Sequence, residues 1–354
     1  MFALRLSAFE LALLPLALIG CGDPVERPSE VKDLRVLAVA AEPPEVLYDR
    51  AAGFGVPQVT FSALVADPRG ETTTYTWRFC PVESEQACLN FPAVREAAPL
   101  PMRPMLDALF AQHQQGLAAP GEEMAGLALP PFTTAWPSDL FVYHLQGSAL
   151  GLGNGAWPSA VLSVGAADGA VLAQKRVTLN ARDLSQYNAE LSAAFGFSVC
   201  EPTAPQPGCL RLEPRTPNQN PALTAVRVAR GKQAGLPFEP LPATLTVKAG
   251  DSLRIEPALS PSAFESYQRV EAALQDNRLQ VEDVREQPVV SWFATAGTFD
   301  EDQTAIASTK TFDNVYTAPE APPTATGGWV ALWMVVRDLR GGTGWMQLRV
   351  LVTP

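Results

Sequence analysis

Along much of this chain apolar and polar residues alternate with a period of two, the signature of strands with one face buried and one wet. Residues 34–41 are rich in β-branched and small apolar side chains and end at Pro43-Pro44. Residues 56–66 alternate up to the turn residues Asp67-Pro68-Arg69-Gly70, and 72–79 alternate again and carry Trp77. From 81 to 138 the period is lost in Pro- and Ala-rich sequence, which reads as an insertion. Within it residues 104–115 predict one short helix: Pro104 suits a first turn, Met105, Leu106, Leu109 and Phe110 share a face, and Gly116 closes it. Strands resume at 140–146, 160–166 and 171–179, the last two joined around Asp168-Gly169, a hairpin signal.

A Pro-rich connector, 181–219, leads to a second β-rich region with strands predicted at 222–229, 243–248, 252–257, 279–284, 288–294, 311–317, 329–337 and 344–352. Residues 262–277, around Phe264-Glu265-Ser266-Tyr267, suggest a short helix. The two regions repeat in outline. Tyr75-Thr76-Trp77-Arg78-Phe79 parallels Val290-Ser291-Trp292-Phe293, and each region closes in a hairpin whose turn holds Asp and Gly, 168–169 in one and 338–342 in the other. Short strands with such turns point to two antiparallel sandwiches in tandem, an all-β fold class. Trp77 and Trp292 are expected as core plugs of their own sandwiches.

The segment Ser291-Trp292-Phe293-Ala294-Thr295-Ala296-Gly297-Thr298-Phe299 resembles the third-strand region of bacterial Ig-like and PKD-type domains. Tyr316-Thr317-Ala318-Pro319 resembles a step of those domains, and Val330 to Asp338 with Arg340-Gly341-Gly342 resembles their last hairpin. The resemblance covers about residues 220–354; the first region, 34–180, shares only Trp77 and the closing hairpin. It implies sandwiches used for spacing and adhesion outside the cell, and no enzyme activity.

Alternation also assigns faces. Val330, Leu332, Met334 and Val336 form one face of their strand, and Met346, Leu348, Val350 and Val352 one face of the next. Trp329, Trp333 and Trp345 then point outward. Three tryptophans on an outer face mark a contact: the other domain or the 262–287 segment packed over them, or an open binding face for a sugar or a protein.

The N-terminus changes the picture from fold to address. Arg5 precedes an apolar stretch from Leu11 to Ile19, long enough for a signal-peptide core and too short to span a bilayer, though Glu10 sits at its edge. It ends in Leu18-Ile19-Gly20-Cys21, which resembles the lipobox of bacterial lipoproteins. That resemblance implies removal of residues 1–20, lipid on the Cys21 thiol, and a tether over 21–33. Gly22, not Asp, follows the lipid cysteine, which favours the outer over the inner membrane.

Net charge is −11, and residues 1–20 hold one Arg and one Glu, so the rest of the chain keeps it. An acidic chain argues against nucleic acid and against electrostatic docking on anionic lipid. Beyond Cys21 four cysteines remain, and in an oxidising compartment their spacing suggests two local disulfides, Cys80–Cys88 and Cys200–Cys209. The spacing is wide for zinc, and neither His113 nor His144 is near a pair.

Candidate chemistry is sparse. There is no Gly-x-Ser-x-Gly elbow, His-Glu-x-x-His, phosphate loop or dinucleotide fingerprint, and no cofactor is implied. Asp300-Glu301-Asp302 offers oxygen ligands for calcium or is a solvated acidic turn; its spacing is not that of an EF-hand. The expectation is a non-enzymatic, membrane-anchored envelope lipoprotein that binds protein or glycan. The alternatives are a structural accessory subunit of an envelope or secretion assembly and, third, an envelope hydrolase with its site in the 81–138 insertion.

Overall fold

The computed structural model describes residues 27–49, 58–70, 73–80, 127–128, 132–135, 159–167, 169–196, 198–201, 207–273 and 278–354. Cys21, Cys88, the 104–115 helix, the 140–146 strand, Asp168 and both histidines lie outside the described residues.

The first sandwich is built from β1 (Arg35–Glu42), β2 (Glu45–Tyr48), β3 (Gln58–Ala66), β4 (Thr74–Cys80), the short β5 (Leu127–Ala128) and β6 (Phe132–Ala135), β7 (Ser159–Ala166), β8 (Gly169–Arg176) and β9 (Thr178–Ala181). One sheet runs β1-β3 with β5 and β6 both paired to β3; the other runs β4-β7-β8. β2 pairs in parallel with β9. The insertion therefore contributes strand pairing that its lack of periodicity did not announce.

The connector carries α1 (Asn188–Phe195), ended by Gly196 in the left-handed region. The second sandwich follows: β10 (Leu223–Arg230), β11 (Glu239–Pro240), β12 (Leu245–Lys248), β13 (Ser252–Leu259), β14 (Ser266–Ala273), β15 (Arg278–Arg285), β16 (Val289–Ala294), β17 (Thr298–Phe299), β18 (Gln303–Thr304), β19 (Asn314–Thr317), β20 (Trp329–Arg337) and β21 (Thr343–Thr353). Its sheets run β11-β10-β13-β19-β17 and β12-β21-β20-β16-β18. β12 lies parallel to β21 while β10 lies antiparallel to β13, so the chain's first strand segment changes sheets. The first sandwich makes the same change, with β1 on β3 and β2 on β9. This shared strand order is that of an immunoglobulin-like sandwich, and the protein is all-β with two of them in tandem.

The expected helix over 262–277 is instead a 3-10 turn at Pro261–Ala263 followed by β14, which pairs with β15, the strand expected at 279–284. Cross-strand pairs decide it: Tyr267 stands opposite Val284, and Arg269 donates to Glu282 at 2.8 Å, contacts an isolated helix would not supply.

The two sandwiches are stacked side by side. Val330, Leu332, Met334 and Val336 point into the second sandwich's core with Trp292, Phe299 and Tyr316. Trp292 is wholly buried, its Nε1 donating to Thr304 Oγ1 at 2.9 Å. The opposite face of β20, with Ala331, Trp333 and Val335, packs on Leu37, Ala38, Leu64 and Ala66 of the first sandwich. β1 and β3 then turn Val39, Ala63 and Val65 inward to Leu162 and Val164, with Trp77 half-buried beside them. A register shift between Val36 and Ala38 lets Leu37 and Ala38 both serve the seam while Val36 and Val39 serve the core. The result is four stacked sheets, with residues 330–336 of β20 buried on both faces. That is why β20 reads Val-Ala-Leu-Trp-Met-Val-Val without a polar residue.

Candidate functional site

Of the tryptophans expected on an outer face, Trp333 is fully buried in the seam and Trp345 packs half-buried at its margin. Trp329 lies half-buried with the Arg349 guanidinium 4.8 Å from its ring centroid. The face is therefore an intramolecular contact at Trp333, and the open-platform reading is corrected. The first sandwich covers it because an apolar face of this size loses more free energy in water than the seam loses in side-chain freedom.

The disulfide Cys200–Cys209 forms in the connector. Cys80 stands on β4, and its pairing with Cys88 falls outside the described residues. Asp300 and Glu301 are exposed on a turn whose backbone is held by Val315 and Asn314. Among the described residues no group of three or more His, Cys, Asp or Glu is placed to hold a metal.

The polar chemistry gathers at one end of the seam, around the β20–β21 turn. Asp338 Oδ1 accepts from the backbone N–H groups of Arg340 and Gly342, each at 2.8 Å, closing the turn. Glycine is required here: a Cβ at Gly342 would meet Asp338 Oδ2 at 2.0 Å, and one at Gly344 would meet the backbone carbonyl of Pro221 at 2.0 Å. The turn projects Arg340 into a nest of acids. Its guanidinium pairs with Glu45 of β2, lies 3.8 Å from Glu265 Oε2 and 3.7 Å from Glu286 Oε1, and donates to the Thr216 carbonyl at 3.1 Å. Tyr267 stacks on it, the ring centroid 4.4 Å from its central carbon.

Glu45, whose side chain is 1% exposed, also accepts from Asn180 Nδ2 of β9 and from the backbone N–H of Asn218 at 2.8 Å. Asn218 Nδ2 donates to Asp338 Oδ2 at 3.0 Å. Lys175 of β8 donates to Thr343 Oγ1 at 2.8 Å and to the Gly341 carbonyl, and Arg337 donates to the Leu37 carbonyl at 2.9 Å. Both sandwiches, the connector and the β14–β15 hairpin are thus tied through one buried cluster.

Its electrostatics follow from burial. Four carboxylates, Glu45, Glu265, Glu286 and Asp338, crowd around Arg340. Burial first, then the Asp338 charge, push Glu286 up to about 7, against the pull of its hydrogen bond from the Glu265 backbone and of Arg340. Glu265 is raised by burial as well. Burial brings Lys175 down to about 8 although Asp338 favours its charge.

Above this cluster opens a cleft of about 680 Å³. Thr178 and Asn180 of the first sandwich form one wall, connector residues 213–216 a second, and Ser266 to Arg269 with Asp283 a third, with Arg340 at the floor. None of this was found from sequence. Its residues are scattered from 45 to 340, and the only local signal was the Asp338–Gly342 turn.

At the opposite pole the N-terminal segment docks on the second sandwich. Ala294 N–H donates to the Ser29 carbonyl and Val31 N–H to the Ala294 carbonyl, both at 2.9 Å, and Arg27 Nη1 donates to the Phe299 carbonyl at 3.1 Å. Ala294 pairs with Leu332, so about 20 Å of β20 separates this docking point from Asp338.

No family model matches the chain, and no curated protein matches it. Among solved structures it is similar to the D00-D0 domain of intimin, at 8% identity over 88% of this chain and 96% of that one, TM-score 0.20. It is similar to the D0-D1 domain of intimin at 10% identity over 89% and 98%, TM-score 0.19. A chimeric titin Z1Z2-Z1Z2 tandem carrying a GRGDS peptide from fibronectin aligns at 10% identity over 91% and 100%, TM-score 0.21. At such scores the immunoglobulin-like assignment rests on this chain's own strand order.

Proposed function

We propose that this protein is a cell-envelope lipoprotein, anchored by lipid on Cys21, whose two sandwiches act as one rigid, non-enzymatic binding body for envelope protein or glycan. The observation that carries the reading is the polarity of the stacked body. Its N-terminal segment leaves from one pole of the second sandwich, and the cleft between the sandwiches opens at the other. From Arg27 back to Cys21 six residues reach about 20 Å at most. A lipid at Cys21 therefore holds the docking pole near the bilayer and turns the cleft away from it. Acyl chains contribute about 0.8 kcal/mol per buried methylene, so a multiply acylated cysteine is a stable anchor. Gly22 after the cysteine favours the outer membrane.

The test is metabolic labelling with a clickable palmitate analogue, with membrane fractionation of the wild type and Cys21→Ser. Acyl label and membrane retention in the wild type, both lost in the variant, are expected. Normal processing and retention of Cys21→Ser would refute the anchor.

A further inference from the structure

We infer that the chain holds a second binding site, apart from the cleft, that takes a carboxylate carrying an apolar group, with Lys175 and Arg337 as its cations. The β20–β21 turn that sends Arg340 to the cleft also lines a separate pocket of about 370 Å³, through Leu339 and residues 341–343. Residues 36–39 of β1 and 173–175 of β8 form its other walls. Its charged lining residues are Lys175 and Arg337, both cations in a chain of net charge −11. Lys175 is 9% exposed. An ammonium has three N–H donors; two of them go to Thr343 Oγ1 at 2.8 Å and to the Gly341 carbonyl. Both acceptors are neutral, as are those of Arg337, Ser291 Oγ at 3.0 Å and the Leu37 carbonyl at 2.9 Å. Among the described residues neither cation is in an ion pair. Asp338 favours the Lys175 charge, but its own oxygens are taken by the turn N–H groups and by Asn218. A buried charge is costly unless it is paired, and here a buried ammonium with a donor to spare lines an open pocket.

Charge balance and the walls select the class. Lys175 and Arg337 against Asp338 leave one positive charge uncompensated. A monoanion neutralises it, whereas a phosphate, closer to a dianion at neutral pH, overshoots. Apart from Gln174 and Thr343, the remaining lining residues are aliphatic or glycine, so the rest of the ligand is apolar. Leu339 is 72% exposed and has φ 66°, a backbone region that leucine rarely adopts. The turn thus holds an aliphatic side chain in water at a backbone cost, and a ligand that covers it removes that exposure. Among the described residues β1 and β8 are each the outermost strand of their sheet, so the pocket lies between two strand edges. An extended peptide ending there in a free carboxylate has the required chemistry, and so does a free short-chain acid.

The test titrates the full-length protein in detergent, by calorimetry, with N-acetyl-leucine and 3-methylbutanoate as the two sources of the carboxylate. N-acetyl-leucinamide and inorganic phosphate are the controls. At least one acid is expected to bind, and neither control. Tighter binding of N-acetyl-leucine assigns the site to a peptide terminus, and tighter binding of 3-methylbutanoate to a free acid. Lys175→Met should weaken binding by about tenfold or more, since it removes a charge-assisted hydrogen bond. Leu339→Gly keeps the experiment decisive if Lys175→Met fails to fold: glycine suits the left-handed turn, so Tm should hold while the acid binds more weakly. Burial, against Asp338 and with Arg337, brings Lys175 down to about 8, so affinity should fall as pH rises from about 7 to about 9. No binding of either acid, equal binding of the amide, tighter binding of phosphate, or binding indifferent to both variants and to this pH change would overturn the inference.

Discussion

Replacing Trp333 by alanine removes the largest side chain of the seam. Trp333 is 0% exposed, and its far side is formed by residues of the first sandwich. A buried tryptophan covers about 150–250 Å²; at about 25 cal/mol per Å² that is about 4–6 kcal/mol as an upper bound. Large-to-small substitutions of this kind cost about 3–5 kcal/mol, because the site relaxes only in part. A second variant separates packing from polarity. Among the described residues the buried Nε1 of Trp333 has no hydrogen-bond partner, a cost of about 1–3 kcal/mol that phenylalanine would remove. Trp333→Phe should therefore lose clearly less than Trp333→Ala, by about 2 kcal/mol or more. Urea unfolding followed by far-ultraviolet circular dichroism measures both. Trp329→Ala is the control: half-buried, with a single arginine on its ring, it should cost about 1 kcal/mol. A Trp333→Ala loss below about 1 kcal/mol would show that the side chain is not buried between the sandwiches and would refute the seam.

Three further outcomes follow from the junction and the connector. Arg340→Ala leaves Glu45 buried without its cation and should destabilise by about 3–5 kcal/mol in urea unfolding, against no change if the pair is solvated. Glu286 is raised to about 7, above its unfolded value, so its contribution to stability is fully present at low pH and is lost as pH rises through about 7. Stability should fall from about pH 5 to pH 7, and Glu286→Gln should flatten that slope; an unchanged slope would exclude Glu286 as its source. Reduction of Cys200–Cys209, which closes a short loop, should lower stability by about 2–3 kcal/mol in a thermal shift with and without dithiothreitol.

Strands with one wet face were legible. β4, β10 and β13, each in an outer sheet, stand within a few residues of where alternation and turn residues place them, because burial on one face leaves a period of two. β15 stands where a strand was expected, but β14 was misread as a helix because its apolar residues are few and the pairing that stabilises it is cross-strand, not local. The outward tryptophans were assigned to the correct face of β20, since Ala331, Trp333 and Val335 do point away from its own core. What covers them depends on a partner sheet nearly three hundred residues earlier in the chain, which no local pattern encodes. The Arg340 cluster was hidden for the same reason. Glu45, Asn180, Asn218, Glu265 and Glu286 each look like ordinary surface polar residues until the two sandwiches stack.

The most direct measurement of that stacking is a pulsed electron-electron distance between spin labels on the two outermost sheets. Unnatural residues at Thr76 of β4 and Thr224 of β10, both exposed, would carry the labels and leave the native cysteines untouched. Four sheets spaced about 10 Å apart place the outer layers about 30 Å from each other. A single narrow distribution near that separation, broadened only by the label linkers, is the expected result. A broad or bimodal distribution extending to longer distances would show two independently moving sandwiches, and the rigid body and its cleft would both be wrong.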